Sequence, residues 1–357
     1  MIYSVTSIAL FLLSVYSWYA DNPKKTKVIF IYLIIWLILL DGLRWEVGTD
    51  WNNYYTFFFD KSKSESHMGL GYNLFTDIVR LFSNSYSVFL VIFASFNYWV
   101  YYKTFLKYSP NPIMSLCICY CMMMGSMGSN RQILAMLICL LSIPYIIDRK
   151  LYSFLLVVIV AVLFHYSALV FLLSFFLYNR EFSNRKCLAI AVICFALGSV
   201  RAINHIPFVD YLALFDSYTN NTEFSGYVDV FDGNISILGS LKRLIILYVV
   251  LLTRKNVNSR LFDFFVYLYL TGCCIYFLFN GSVLQIVAGK LSTYFNIFEC
   301  ILMPYALFCF PIKDKQRVVF WLLYYVVCFA LMWKDILTYV RTVGYDIYNP
   351  YKTVLFL

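Results

Sequence analysis

Charged side chains are scarce in this sequence. Only 13% of its 357 residues are Asp, Glu, Lys or Arg, against 62% apolar ones, and that excludes an ordinary water-soluble domain, which carries about twice as much charge. Histidine is nearly missing, with three in the whole chain. The eleven cysteines lie mostly inside apolar runs (Cys117, Cys119, Cys121, Cys139, Cys194, Cys273, Cys274), with no metal-ligand spacing alongside histidine. Cysteine so placed behaves as a small apolar residue, so neither a disulfide framework nor a metal centre is expected. No basic stretch precedes the first apolar run and no small-x-small site follows it, so residues 1–20 read as a membrane span and not as a cleaved signal. No segment between apolar runs is long enough for an independent domain. No convincing internal repeat is present either, which weighs against repeat-built transporter folds.

What the sequence has in abundance is apolar runs of the length a bilayer helix needs, about 20 residues. They suggest spans near 2–19, 27–42, 86–106, 113–129, 131–147, 187–203, 237–253, 261–279, 291–311 and 318–333. Residues 151–178 are ambiguous, because a single helix there would be roughly 42 Å long. Charge decides the matter. The Lys/Arg-rich short loops fall on one side only if 151–178 crosses twice, and that side then holds 16 Lys/Arg against 5 Asp/Glu. Basic loops mark the cytoplasmic side. The expectation is an all-α, polytopic integral membrane protein with about twelve crossings, a broken hairpin at 151–178 turning at His165, and both termini outside the cytoplasm. Residues 1–357 then form a single transmembrane domain with outer-face loops 43–85 and 204–236 and an outer-face tail 334–357. Loop 43–85 holds a polar patch around Lys61–His67 and an amphipathic helix from Tyr72 to Phe82. Loop 204–236 is acidic and has no Lys or Arg at all. The net charge of +9 is therefore a matter of sidedness and predicts no nucleic-acid partner.

The densest chemistry lies in Arg44-Trp45-Glu46-Val47-Gly48-Thr49-Asp50-Trp51-Asn52-Asn53-Tyr54-Tyr55, directly after an apolar run. Arginine grips phosphate in a planar fork and keeps its charge at any relevant pH. Arg44 and Asp50 either pair or divide binding from proton transfer. The aromatics suit a bilayer interface and the faces of sugar rings. Further cations fall on the outer side, against the usual bias: Arg131 begins one span, Lys242 and Arg243 lie in the first turns of another, and Lys290 immediately precedes a third. A helix N-terminus repels a cation but welcomes an anion, so these positions make either an anion site or a set of side chains reaching for water. His165, the only histidine inside an apolar stretch, is either a hydrogen-bonded cap at a helix break or a proton-transfer group. Ser292, Asn296 and Glu299 share one face of a helix, which should turn inward. Gly125-Ser126-Met127-Gly128-Ser129-Asn130 either permits close helix approach or lines a polar vestibule.

Arg44-x-x-x-Gly48-Thr49-Asp50-x-x-x-Tyr54 after a second span, Arg131-Gln132 opening a later one, Phe164-His165-x-Ser167-Ala168, and Tyr294 with Pro304 in a late span together resemble the EpsG-like family of Wzy-type O-antigen and exopolysaccharide polymerases. Trp51 stands where tyrosine is more usual and preserves an aromatic side chain. The resemblance implies a GT-C-like glycosyltransferase of the bacterial inner membrane, working at the periplasmic face. It implies undecaprenyl-diphosphate-linked saccharides as both donor and acceptor: the growing glycan moves onto the non-reducing end of a lipid-linked repeat unit. Neither cofactor, nucleotide sugar nor metal is implied. Membrane lipids, a chain-length regulator and other polysaccharide-assembly proteins are the implied partners. On this reading Asp50 or His165 is the base, and Arg44, Arg131 and Arg243 take the diphosphate. Gly48, Thr49, Tyr54, Lys242, Lys290 and Glu299 complete the substrate-binding set. A flippase or transporter of the same lipid-linked oligosaccharide is the alternative. It needs a basic cavity open alternately to both sides, and no base beside the anion site.

Overall fold

A computed structural model of the chain describes residues 2–20, 22–61, 68–205, 237–282, 285–344 and 346–356. The acidic loop from residue 206 on, and the polar patch from residue 62 to His67, lie outside the described residues. The principal helices are α1 (Ile2–Tyr19), α2 (Pro23–Gly42), α3 (Trp51–Phe59), α4 (Leu70–Arg80), α5 (Tyr86–Tyr108), α6 (Pro112–Met123), α7 (Asn130–Leu141), α8 (Leu151–Phe164), α9 (Asn184–Ser199), α10 (Ile237–Val257), α11 (Arg260–Phe279), α12 (Gln285–Asn296), α13 (Glu299–Cys309) and α14 (Asp314–Val343). Among the described residues, five stretches are long and apolar enough to cross a bilayer: Ile2–Tyr19, Asn130–Ile147, Arg260–Phe279, Gly289–Cys309 and Asp314–Thr338. They mark an all-helical protein of the membrane-embedded kind. Shorter apolar helices over Pro112–Ser126, Leu151–Phe164 and Tyr166–Leu177 fall at other expected spans.

Three local departures from the sequence reading have physical causes. The expected span 113–129 ends its α-helix at Met123 and continues as a 3-10 turn, Met124–Ser126, because the glycines and serines of residues 125–129 are poor helix formers. The expected span 291–311 is two helices. A turn at Ile297-Phe298 separates α12 from α13, so Ser292, Asn296 and Glu299 do not share one continuous helix. All three are nevertheless buried. Because α12 starts at Gln285, Lys290 lies inside that helix and not ahead of it. Residues 151–178 are interrupted at His165, which is non-helical between α8 and the 3-10 helix Tyr166–Leu173.

The chain divides into two compact units. The first comprises Met1–Leu141, Ile159–Tyr166 and Leu307–Leu357. In it α2 packs on α5, α5 on α7, and α6 on both α1 and α14. Two of these helices start sharply. Asn22 and Asn111 each accept a hydrogen bond from the backbone N–H three residues on, and a proline holds the first helical position in both cases. An aromatic core of Trp51, Tyr54, Phe57, Phe58, Tyr72, Tyr86 and Phe89 fixes the loop elements α3 and α4 to the start of α5. The second unit comprises Ser142–Val158 and Ser167–Ala306. Its centre is α11, on which α9, α10 and α12 pack. Gly198 of α9 lies so close to the backbone of Phe277 that any Cβ there would overlap the carbonyl oxygen.

Candidate functional site

In the first unit the Arg44–Asp50 loop is held by backbone contacts from two distant parts of the chain. Gly48 and Gly128 both have φ of +109°, and each sits where the other's strand of loop leaves no room for a Cβ. A Cβ on Gly128 would lie 2.6 Å from the Thr49 nitrogen, and one on Gly48 would lie 2.8 Å from the Met127 oxygen. The closeness permits a hydrogen bond from Thr49 N–H to the Met127 carbonyl, 2.9 Å, with the Thr49 hydroxyl 3.3 Å from the same oxygen. The glycine-rich 125–130 stretch thus allows a close approach, but by the motif loop.

The second hold comes from the C-terminal tail. Trp45 N–H donates to Lys352 O at 2.9 Å, Gly48 N–H to Ile347 O at 3.1 Å, and Val354 N–H to Leu43 O at 3.0 Å. The buried Tyr348 hydroxyl reaches Gly125 O at 3.2 Å, and Tyr3 of α1 donates to Tyr348 O at 3.0 Å. At the turn into this tail, burial pushes the Asp346 carboxyl up, but donors on Tyr348 and Asn349 outweigh it and hold its pKa below the usual range. The tail's role was missed in the sequence, which marks residues 334–357 as an outer-face tail without showing what it packs against.

Arg44 is 2% exposed. Its carboxylate partner is Asp41, one helical turn upstream at the end of α2, and its other terminal nitrogen donates to Asn130 Oδ1 at 3.2 Å. Neither partner was singled out from sequence, although a carboxylate three residues before an arginine is a spacing that pairs. Asn130 is the first residue of α7 and Arg131 the second. The Arg131 backbone N–H and its Nε both point at the Tyr54 hydroxyl, at 3.5 and 3.4 Å. Burial pushes the Tyr54 phenol up while Arg131 pulls it down, with a net rise, so at neutral pH the hydroxyl keeps its proton. Gly48, Thr49, Tyr54 and Arg131 are therefore brought to one helix start, with Asp50 half-buried next to Thr49. His165 belongs to the same unit, half-buried after the last turn of α8, with its ring stacked on Tyr166 at 5.0 Å.

The second unit holds the remaining candidates. Lys242 Nζ lies 2.9 Å from Glu299 Oε1, and the Tyr269 hydroxyl donates to Oε2 at 3.2 Å. Glu299 is 2% exposed and opens α13, where the helix dipole favours a carboxylate. Arg243 lies 3.5 Å from the centre of the Tyr276 ring and donates to Gly239 O. Its buried Nε has no partner among the described residues. Two residues from separate motifs meet in this unit: Ser167 and Tyr294 share a hydrogen bond of 3.0 Å. Lys290 is half-buried on α12.

Chemically, the first unit offers a helix N-terminus with a loop and an arginine beside it, which is a geometry for anions, and a half-buried carboxylate next to them that can take a proton. The second offers one neutralised lysine and one arginine with donors in reserve. Against known proteins, a model described as the EpsG family matches residues 27–353. No curated protein and no solved structure matches the chain.

Proposed function

Because this chain belongs to the EpsG family, the Wzy-type polymerase-like proteins, we propose that it is a metal-independent glycosyltransferase that polymerises a polysaccharide from undecaprenyl-diphosphate-linked units. It works at the periplasmic face of a bacterial inner membrane. The reading rests on one observation above the others: Arg131 stands at the N-terminus of α7 with Thr49 and Asp50 packed beside that helix start. In the reaction an acceptor hydroxyl oxygen attacks the anomeric carbon of the donor sugar. The bond from that carbon to the diphosphate oxygen breaks, and the electron pair leaves with the diphosphate.

Negative charge on the leaving group grows as that bond lengthens, so a fixed arginine and helix N-terminus stabilise the transition state more than the ground state. Arg131 takes that part. Asp50 accepts the hydroxyl proton, and His165 is its rival for the role. Arg44 is buried and engaged by Asp41 and Asn130, so it acts through them to position the start of α7. In the second unit, Arg243 offers a cation to lipid-linked substrate.

The test uses the purified full chain in bilayers that contain lipid-linked repeat units and nothing else. Lengthened glycan with release of lipid diphosphate is expected, and Asp50→Asn should lower the rate about 10²–10⁴-fold while lipid-substrate binding is kept. Transfer of the substrate between leaflets without lengthening would replace the proposal with a flippase.

A further inference from the structure

Helix α4 has three sectors, and the third is unexplained by the unit's own packing. At about 100° per residue, Tyr72, Thr76 and Val79 form the buried side. Tyr72 there lies 5.1 Å from the Tyr54 ring and 5.7 Å from Phe89. Asn73, Asp77 and Arg80 form a polar edge, with Asp77 paired to Lys61 and the Arg80 guanidinium 5.9 Å from the Phe58 ring. The remaining sector carries Leu70, Leu74 and Ile78, continued past the helix end by Leu81 and Phe82. These five are 47–83% exposed. An outward stripe of that kind on a strongly two-faced helix, flanked by a lysine and an arginine, is the pattern of a helix lying in a membrane interface.

A second observation says what covers the stripe. Gly69 and Gly71, at the start of α4, rest on the backbone of Leu163; a Cβ on either would come within 2.9 Å of it. Leu163 belongs to the last turn of α8, a helix of fourteen residues with no charged side chain. Around that turn Ile159, Val160 and Leu163 are themselves exposed. On an uncharged helix of a membrane-embedded chain, such a face is suited to hydrocarbon. The outward stripe of α4 is continuous with it through the two glycine contacts.

We propose that α4 lies in the membrane interface, with Leu74 and Ile78 in bilayer hydrocarbon and Asn73, Asp77 and Arg80 at the headgroups. Residues 70–82 are therefore seated in the membrane and do not project into water. Since the opposite side of α4 presents Tyr72 to Tyr54, and Tyr54 touches Arg131, this helix stands as a wall between acyl chains and the anion-binding cluster.

The full chain carrying Leu74→Trp or Ile78→Trp, in vesicles of phosphatidylethanolamine and phosphatidylglycerol, tests it by the emission added over the parent protein. That added emission should be at least halved by lipids brominated on their acyl chains and hardly touched by aqueous iodide. Arg80→Trp should behave the opposite way. Quenching is compared only between variants whose unfolding midpoints match the parent's; one that fails this is replaced by Leu81→Trp, which lies beyond the helix. Quenching by iodide would overturn the proposal. So would bromolipid quenching that vanishes as protein density rises, which would mean a second copy on the stripe. Protection that arises only when lipid-linked saccharide is added would overturn it too, assigning the stripe to the substrate's own tail.

Discussion

Arg254 and Arg243 sit on the same helix, α10, and the fold treats them in opposite ways. Every nitrogen of Arg254 is engaged: Nε with Asp263 at 2.7 Å, one terminal nitrogen with Phe182 O and Asn184 Oδ1 at 2.8 Å each, the other with the Tyr267 hydroxyl at 2.9 Å. Arg243 bonds a backbone oxygen, lies against a tyrosine ring, and buries an Nε that nothing among the described residues satisfies. A buried donor left unmade costs stability, so a saturated arginine belongs to the scaffold and an unsaturated one is held for something else. Arg44 falls between the two, with its terminal nitrogens on Asp41 and Asn130 and its Nε without a partner among the described residues.

The largest effect expected from breaking this pattern is at Arg44. Arg44→Gln leaves Asp41, itself only 15% exposed, without its counter-charge, and loss of one partner of a buried pair costs about 3–5 kcal/mol. Unfolding in mixed micelles should show that loss, and Arg44→Gln/Asp41→Asn should regain more than half of it. A double variant as unstable as the single one would mean that the pair is not what Arg44 supplies.

Next in size is the contrast on α10. Arg254→Gln should lower stability by about 1.5–3 kcal/mol, the range for hydrogen bonds to a charged group. Arg243→Gln should leave stability nearly unchanged and weaken binding of lipid-linked substrate about 10-fold, as loss of one hydrogen bond from a charged group does. Equal stability losses in the two variants would erase the distinction between scaffold and reserve.

How much of this could be seen in the sequence follows from the range of each interaction. The all-helical, membrane-embedded character was legible because hydropathy is summed over about 20 neighbours, and α4 because its two-sided pattern repeats over three turns. The motif loop was legible as a dense cluster, and Arg131 as a cation opposing a helix start. The pairings were not. Asp41 was hidden at the end of an apolar run, and Arg44 was weighed against Asp50, the carboxylate within its own motif. Lys242 with Glu299 joins residues far apart in the chain, and periodicity carries no signal for that. Nor did the apolar run through residues 291–311 reveal its break at Ile297-Phe298, since hydropathy is blind to a turn buried among apolar side chains. The tail's grip on the motif loop consists of backbone hydrogen bonds, which any sequence can make and none advertises.

That grip also yields the smallest expected effect. Glu46 and Lys352 join the motif loop to the tail by an ion pair of 2.7 Å, and it is tempting to read it as the clasp. Both side chains are 48% exposed, however, and pairs so placed contribute about 0.2–1 kcal/mol and weaken in salt. The backbone bonds from Trp45, Gly48 and Val354 do the holding. A double-mutant cycle on Glu46→Ala and Lys352→Ala should therefore give a coupling within that range at low salt and none that can be measured at high salt, with glycan lengthening unaltered. Removal of residues 346–356 should do far more damage than either substitution, because it strips three backbone acceptors and donors from the loop at once. A coupling that is both larger than about 1 kcal/mol and insensitive to salt would move the clasp from the backbone to this pair.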